Sequence, residues 1–418
     1  MWITALLRGA GSPVAVARLC ERDIEFRWLL GGASVEKSTL CDFRTKHLDR
    51  LKGLSTQLLA SLARADLLPG AHVAVDGSVI RAAASCGAST SRTVLRRRVE
   101  RLGAVIESKL LEESWDDSVE VLQRQKARLE RALDEMTELG KTGDEARMTI
   151  TEPDASRKKL KNGSFAPAHN VQVVTDMSSG AIIHTEVIEQ GNDCAQLAPQ
   201  LRNAQATLER VSQLLGDDAP SKPSSPTTVC ADAAYHDTHQ LVDLAARGIT
   251  AVVPDPNPLR RPPGVSDDYL AQAFAYDAGR DVLICPQGNA LTPRKLNRTK
   301  TAMTYQAKPA DCQQCPFKSQ CCPNAKQGRS VNRPRYPEVL AAVAQHTSSP
   351  DGQRCMRARK IAAEGAFARI VHLLNWRRCR TWGKHGAQAE ALWRQITHNL
   401  LLLTGHWQPI IPQPIATG

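Results

Sequence analysis

His72-Val-Ala-Val-Asp-Gly-Ser-Val-Ile80 reads as a buried strand whose apolar run carries one carboxylate, Asp76, directly before Gly77. Val229-Cys-Ala-Asp-Ala-Ala-Tyr235 repeats the pattern, with Asp232 ahead of two alanines. In both, an aspartate is expected at a strand end beside small residues that permit close approach, a place where α/β sheets hold ligands and metal ions. Either residue alone is more simply a turn or capping aspartate. Two with matching surroundings suggest a shared task.

Working outward, a hairpin is expected from Asn170-Val-Gln-Val-Val-Thr175 and Ala181-Ile-Ile-His-Thr-Glu-Val-Ile188 around the turn Asp176–Gly180. A helix is expected over 194–215, a Pro/Ser-rich linker over 216–226, a helix over 239–247 and a strand over 249–253. Residues 91–139 predict a helical hairpin, with Leu95, Val99, Leu102 and Ile106 on one stripe and Leu122, Leu129, Leu133 and Met136 on another. Residues 1–70 read as helices, and a weak helix-turn-helix pattern places Arg44, Lys46 and Arg50 on its second helix. Residues 254–350 read as irregular, rich in proline and cysteine, and 356–378 and 387–404 as closing helices. The order strand, hairpin, helix, strand, helix, strand predicts an α/β fold with a mixed sheet. The expected domains are 1–70 (helical, DNA-binding), 71–256 (core, with 89–140 a helical-hairpin insertion), 257–350 (Pro/Cys-rich basic insertion) and 351–418 (helices completing the core).

The formal charge of +11 is unevenly spread. Residues 71–256 carry 21 Lys/Arg against 27 Asp/Glu, whereas 257–350 carry 13 against 6 and 351–418 carry 10 against 3. An acidic middle between basic arms suits a protein that grips a polyanion with its edges, though a high pI alone is equally a solvated surface. No apolar run approaches membrane-spanning length. Arg8 interrupts the first apolar stretch, against an export signal, and the twelve cysteines of this long chain read as reduced thiols, so a cytoplasmic location is expected.

Glu364 is the third acid of interest. On a helix over 359–376, Ile361, Phe367, Val371 and Leu374 fall near it on the wheel, so its carboxylate is expected toward the apolar face and in need of a partner or a metal. Pairing with Lys360 is the simpler alternative. Three carboxylates on separate elements suit two Mg²⁺ or Mn²⁺ ions rather than zinc. The spacing of Cys285, Cys312, Cys315 and Cys321 fits a closed structural zinc site, and equally a set of reduced thiols. Arg294, Lys295, Arg298 and Lys300 between its halves are available to phosphates.

The blocks Val73-Ala-Val-Asp-Gly-Ser78, Val229–Tyr235 and Arg357-Ala-Arg-Lys-Ile-Ala-Ala-Glu364 resemble the three acidic blocks of insertion-sequence transposases of the IS1182 group, within the IS4/IS5-like class. Phe26-Arg-Trp28, Ser38–Arg44, the hairpin from His169 to Glu189 with Asn192-Asp193, and the cysteine block extend the resemblance along nearly the whole chain. It implies an RNase H-like core in which Asp76, Asp232 and Glu364 form a DDE triad holding two metal ions. It also implies double-stranded DNA as partner (terminal inverted repeats and target), a homodimer on DNA, and a nucleoid-associated place in the cytoplasm. Lys360, Arg377, Arg378 and Arg380, with Arg44 and Lys46, would then neutralise phosphates. The chain departs from the group at Val371, where a Lys or Arg is usual, and the resemblance leads us to expect further helices ahead of Met1. A second reading uses the same features: a decayed, inactive transposase that still binds terminal repeats. An RNase H-like exonuclease fits less well, because Ser78 stands where Asp-x-Glu would be.

Overall fold

The computed structural model describes residues 1–405 except 112–116, 161, 217–221, 257–261 and 325. Part of the expected linker, 217–221, therefore lies outside the described residues, and the expected boundary at 256–257 falls at their edge. The chain divides into two compact units, one of residues 1–193, 199–226 and 357 onward, the other of 194–198 and 227–356.

The first unit holds strands β1 (His72–Arg81), β2 (Ser89–Ser91), β3 (Arg147–Thr149), β4 (Ser156–Lys159), β5 (Phe165–Asp176) and β6 (Ile182–Ile188). β5 is its spine: β1 runs antiparallel along one edge, from Val73 opposite Asp176 to Arg81 opposite Ala168, and β6 and β4 line the other edge. The hairpin is where the sequence predicts it, though β5 begins five residues earlier. β1 does not stop at Gly77. Its pairing with the long β5 carries it to Arg81, so Asp76 sits in mid-strand rather than at a strand end.

One face of this sheet is sealed by Ile80, Val171, Val173 and Val187 against Ala366, Phe367, Ile370 and Trp376. The predicted helical hairpin is present as Arg92–Leu111 and Asp117–Glu138, rooted by the short β2–β3 pair and by Leu95, Ala132, Met136 and Met148. The N-terminal segment forms five helices between Trp2 and Arg64. Read from the sequence as a domain of its own, it shares one core with the end of the chain: Trp2, Leu6, Phe26 and Leu40 pack with Leu374, Leu392, Trp393 and Ile396.

Glu390 locks that junction. It is 1% exposed and lies 3.8 Å from Arg44 and 3.5 Å from Arg394. Its carboxylate also accepts the Trp376 indole N–H (3.0 Å), the backbone N–H of Arg380 (2.6 Å) and Thr381 (2.8 Å), and the Thr381 hydroxyl. Two buried guanidinium groups around one carboxylate are tolerable only because its oxygens are so thoroughly hydrogen-bonded.

The second unit opens with β7 (Thr228–Cys230) and β8 (Thr250–Val252), parallel and joined through the helix Thr238–Ala246. The remainder corrects the expectation of irregular structure. β9 (Ala275–Asp277), β10 (Val282–Ile284), β11 (Ala290–Leu296), β12 (Ala302–Ala307) and β13 (Ser330–Pro334) form an antiparallel sheet in the order β13-β12-β11-β10-β9. Its strands are short, and its small core takes Leu283, Leu291, Tyr305, Ala307 and Val331 from four of them, with none from β9. Sequence alternation is too weak to reveal such strands. Together the units are of the expected mixed α/β class. No described helix is long and apolar enough to cross a membrane.

Candidate active site

Asp76 projects from the face of β1 that also presents Ser78, because alternate residues share a face. Its side chain is 14% exposed. One oxygen, Oδ1, accepts the N–H of Gly77 at 2.9 Å. It looks into an open pocket of about 420 Å³ whose lining includes Ser78, Lys159, Glu364, Phe367 and His372. Asp76 and Glu364, far apart in sequence, thus share one cavity.

The expected uninterrupted helix around Glu364 is instead a relay of four segments: Pro350–Arg359, a π-helical turn Lys360–Glu364, a short α-turn Gly365–Ala368 and a second π-turn Arg369–Leu373. In an α-helix, residues five apart diverge by about 140° around the axis, whereas a π-turn brings i and i+5 together. Arg359 and Glu364 are such a pair. The Arg359 guanidinium lies 3.5 Å from Glu364 and 3.9 Å from Asp76, with its side chain 9% exposed. Its Nε and Nη1 make no hydrogen bond. Lys360, the simpler alternative to a metal as partner of Glu364, is exposed, and the π-turn brings Arg359 to the carboxylate instead. Glu364 itself is 49% exposed, less buried than its position on an α-helical wheel predicts.

Asp232 follows β7 in the second unit and caps a single turn, Ala233–Tyr235, by accepting the N–H of Ala234 at 2.9 Å. Among the described residues, no group of three or more His, Cys, Asp or Glu side chains is arranged to hold a metal ion.

The cations expected to meet DNA divide sharply. Arg44 is buried: it donates to the Gly11 carbonyl at 3.0 Å and pairs with Glu390, so its guanidinium is committed to the interior. Arg378 is half-buried and clamps the carbonyls of Ala82, Ala83 and Ala84. Lys46 is exposed and paired with Asp42. Lys360, Arg377 and Arg380 are exposed, Arg377 lying 3.3 Å from His372. The sequence reading missed Lys159, at the end of edge strand β4, whose place in the Asp76 pocket depends on how β4 pairs with β5.

In the second unit, Cys285, Cys312, Cys315, Cys321 and Cys322 line one small cavity of about 20 Å³. Two of the sulfurs accept backbone N–H groups: Asn289 on Cys285 and Arg329 on Cys312, both at 3.3 Å. Burial, then the neighbouring Cys312 and Cys321, pushes the Cys322 thiol up to about 12. Cys322 is a member of the cluster that the spacing argument did not include.

Residues 284–404 match the family model of a transposase DDE domain. That stretch contains Glu364, the cysteine cluster and the last helix, and neither Asp76 nor Asp232. The match supports a DDE transposase. No curated protein and no solved structure matches the chain.

Proposed function

We propose that this chain is a metal-dependent DDE transposase of the IS1182 group. It would cut DNA at the ends of an insertion sequence and join those ends to target DNA. The observation that carries the reading is the shared pocket of Asp76 and Glu364, the latter inside the segment that matches a transposase DDE domain. Asp232, on the strand block that resembles the second acidic block, would complete the triad.

The donor set fits hard divalent cations: carboxylate oxygens in an open pocket, with no thiolate or imidazole ligand required. When bound, two Mg²⁺ or Mn²⁺ ions supply activation of the attacking water or 3′-hydroxyl and stabilisation of the departing 3′-oxygen. The protein's own part is placement. β1 fixes Asp76 between paired neighbours, the π-turn aims Glu364 into the same cavity, and Lys159 stands at its rim to meet a phosphate. Exposed Lys360, Arg377 and Arg380 would neutralise the flanking backbone, and pairing of two DNA ends would require a homodimer in the nucleoid. The thiols of Cys285, Cys312, Cys315 and Cys321, or its neighbour Cys322, line one cavity without standing in a metal-holding arrangement, and would have to close up to take one structural zinc. Backbone N–H groups are already directed at two of the sulfurs.

The test is Mg²⁺-dependent cleavage and strand transfer on duplexes carrying the element's inverted repeats. Asp76→Ala, Asp232→Ala and Glu364→Ala should each abolish both steps while leaving DNA binding intact. Cleavage that survives Glu364→Ala removes the proposal.

A further inference from the structure

We infer that the β11–β12 hairpin of the second unit, with the adjoining end of β13, is a duplex-DNA grip separate from the carboxylate pocket. This rests on the transposase reading for the identity of its polyanion.

Every residue from Thr292 to Lys300 is exposed, and four of the nine are cationic: Arg294, Lys295, Arg298 and Lys300. Arg335, also exposed, joins them through its backbone N–H, which donates to the Thr301 carbonyl at 2.9 Å. Neither 290–307 nor 330–335 contains an acid, and among the described residues none of these five cations is ion-paired. The acids on the neighbouring β9–β10 hairpin are occupied. Asp277 pairs with Arg280 at 2.7 Å, and Asp281 accepts the hydroxyls of Tyr305 and Tyr276 at 2.6 and 3.1 Å. An unpaired row of like charge is electrostatically costly unless a polyanion relieves it.

The row is also held in shape. Asn297 closes the hairpin tip by accepting the N–H groups of Thr301 and Ala302 at 2.8 and 3.1 Å, and Lys300 adopts a left-handed conformation, φ +58°. His239 from the neighbouring helix holds the Thr299 carbonyl at 2.9 Å. A bulge between Pro293 and Lys295 adds local twist to the ribbon. A two-stranded ribbon of this kind is narrow enough to enter the major groove of a duplex, about 12 Å wide. Arg44 and Arg378, by contrast, are committed to interior contacts.

The experiment measures binding of the full-length chain to a fluorescent random-sequence duplex without added divalent metal or chelator, over a series of salt concentrations. The wild type should show a steep fall of log affinity with log salt. The quadruple variant R294A/K295A/R298A/K300A should lose about 3–4 from that slope, near 0.9 per phosphate contact, and bind at least roughly tenfold more weakly at 0.1 M salt. R294K/R298K should keep the slope. An unchanged slope in the quadruple alanine variant overturns the grip while leaving the catalytic proposal standing. A matched loss in both variants with a lowered melting temperature overturns it as well, because the effect would then lie in folding. A wild type that binds no duplex overturns both readings.

Discussion

Replacing Arg359 by glutamine should tighten the binding of divalent metal while weakening the metal-free fold. Arg359 is the resident cation between Asp76 and Glu364, 3.9 and 3.5 Å from them. At an effective dielectric near 20, two unit charges about 4 Å apart interact by roughly 4 kcal/mol, an upper bound for each pair. Glu364 is half-exposed, and exposed pairs contribute only about 0–1 kcal/mol. Most of the effect therefore comes from the less exposed Asp76, and we expect about 1–2 kcal/mol in total. In EDTA that corresponds to a melting temperature lower by about 2–8 °C. A metal ion entering the wild-type site must displace or tolerate the guanidinium. The same 1–2 kcal/mol should then appear as roughly 5–30-fold tighter Mn²⁺ binding in Arg359→Gln, read by titration calorimetry or by the Mn²⁺ resonance signal. Arg359→Lys should stay near wild type, and Asp76→Asn/Arg359→Gln should lose the gain. If Arg359→Gln folds normally but binds Mn²⁺ no more tightly than wild type, Arg359 is not a placeholder for metal.

Glu390→Ala leaves the buried guanidinium groups of Arg44 and Arg394 without their carboxylate, so denaturant unfolding should show a loss of about 3–5 kcal/mol. His398 is fully buried, which holds its pKa down to about 4 from 6.5. A base with a lowered folded pKa contributes stability that is complete above 6.5 and is lost as pH falls toward 4, here about 3 kcal/mol. Urea midpoints followed across that window should decline, and His398→Asn should flatten the decline. For the cysteine cluster, purified protein should carry one zinc per chain by elemental analysis, released by a mercurial reagent. Cys312→Ser/Cys315→Ser should lack the metal and melt earlier.

The parts legible from sequence were those with strong local periodicity. The β5–β6 hairpin, the Arg92–Glu138 helical pair and the closing helix Gly383–Leu403 all follow from residue spacing. The sheet β9–β13 was not legible, because its strands are short, β9 adds no buried residue to the core, and the other four add only one or two each. Asp76 was expected at a strand end and lies in mid-strand, since the length of β1 is set by its partner β5 and not by the glycine beside the aspartate. Arg359 was missed because its proximity to Glu364 exists only in a π-turn, which an α-helical wheel cannot represent. Arg44 looked like a surface cation for the same kind of reason: the acid that buries it lies at the other end of the chain.

That last contact has a consequence for biosynthesis. Trp2, Phe26 and Leu40 are made long before the surface they pack against, Leu392, Trp393 and Ile396. The earlier helices must therefore wait, partly uncovered, until that later surface has been translated. A product that stops short of residue 390 would be left with its opening helices unsealed and prone to aggregation, however intact its central strands.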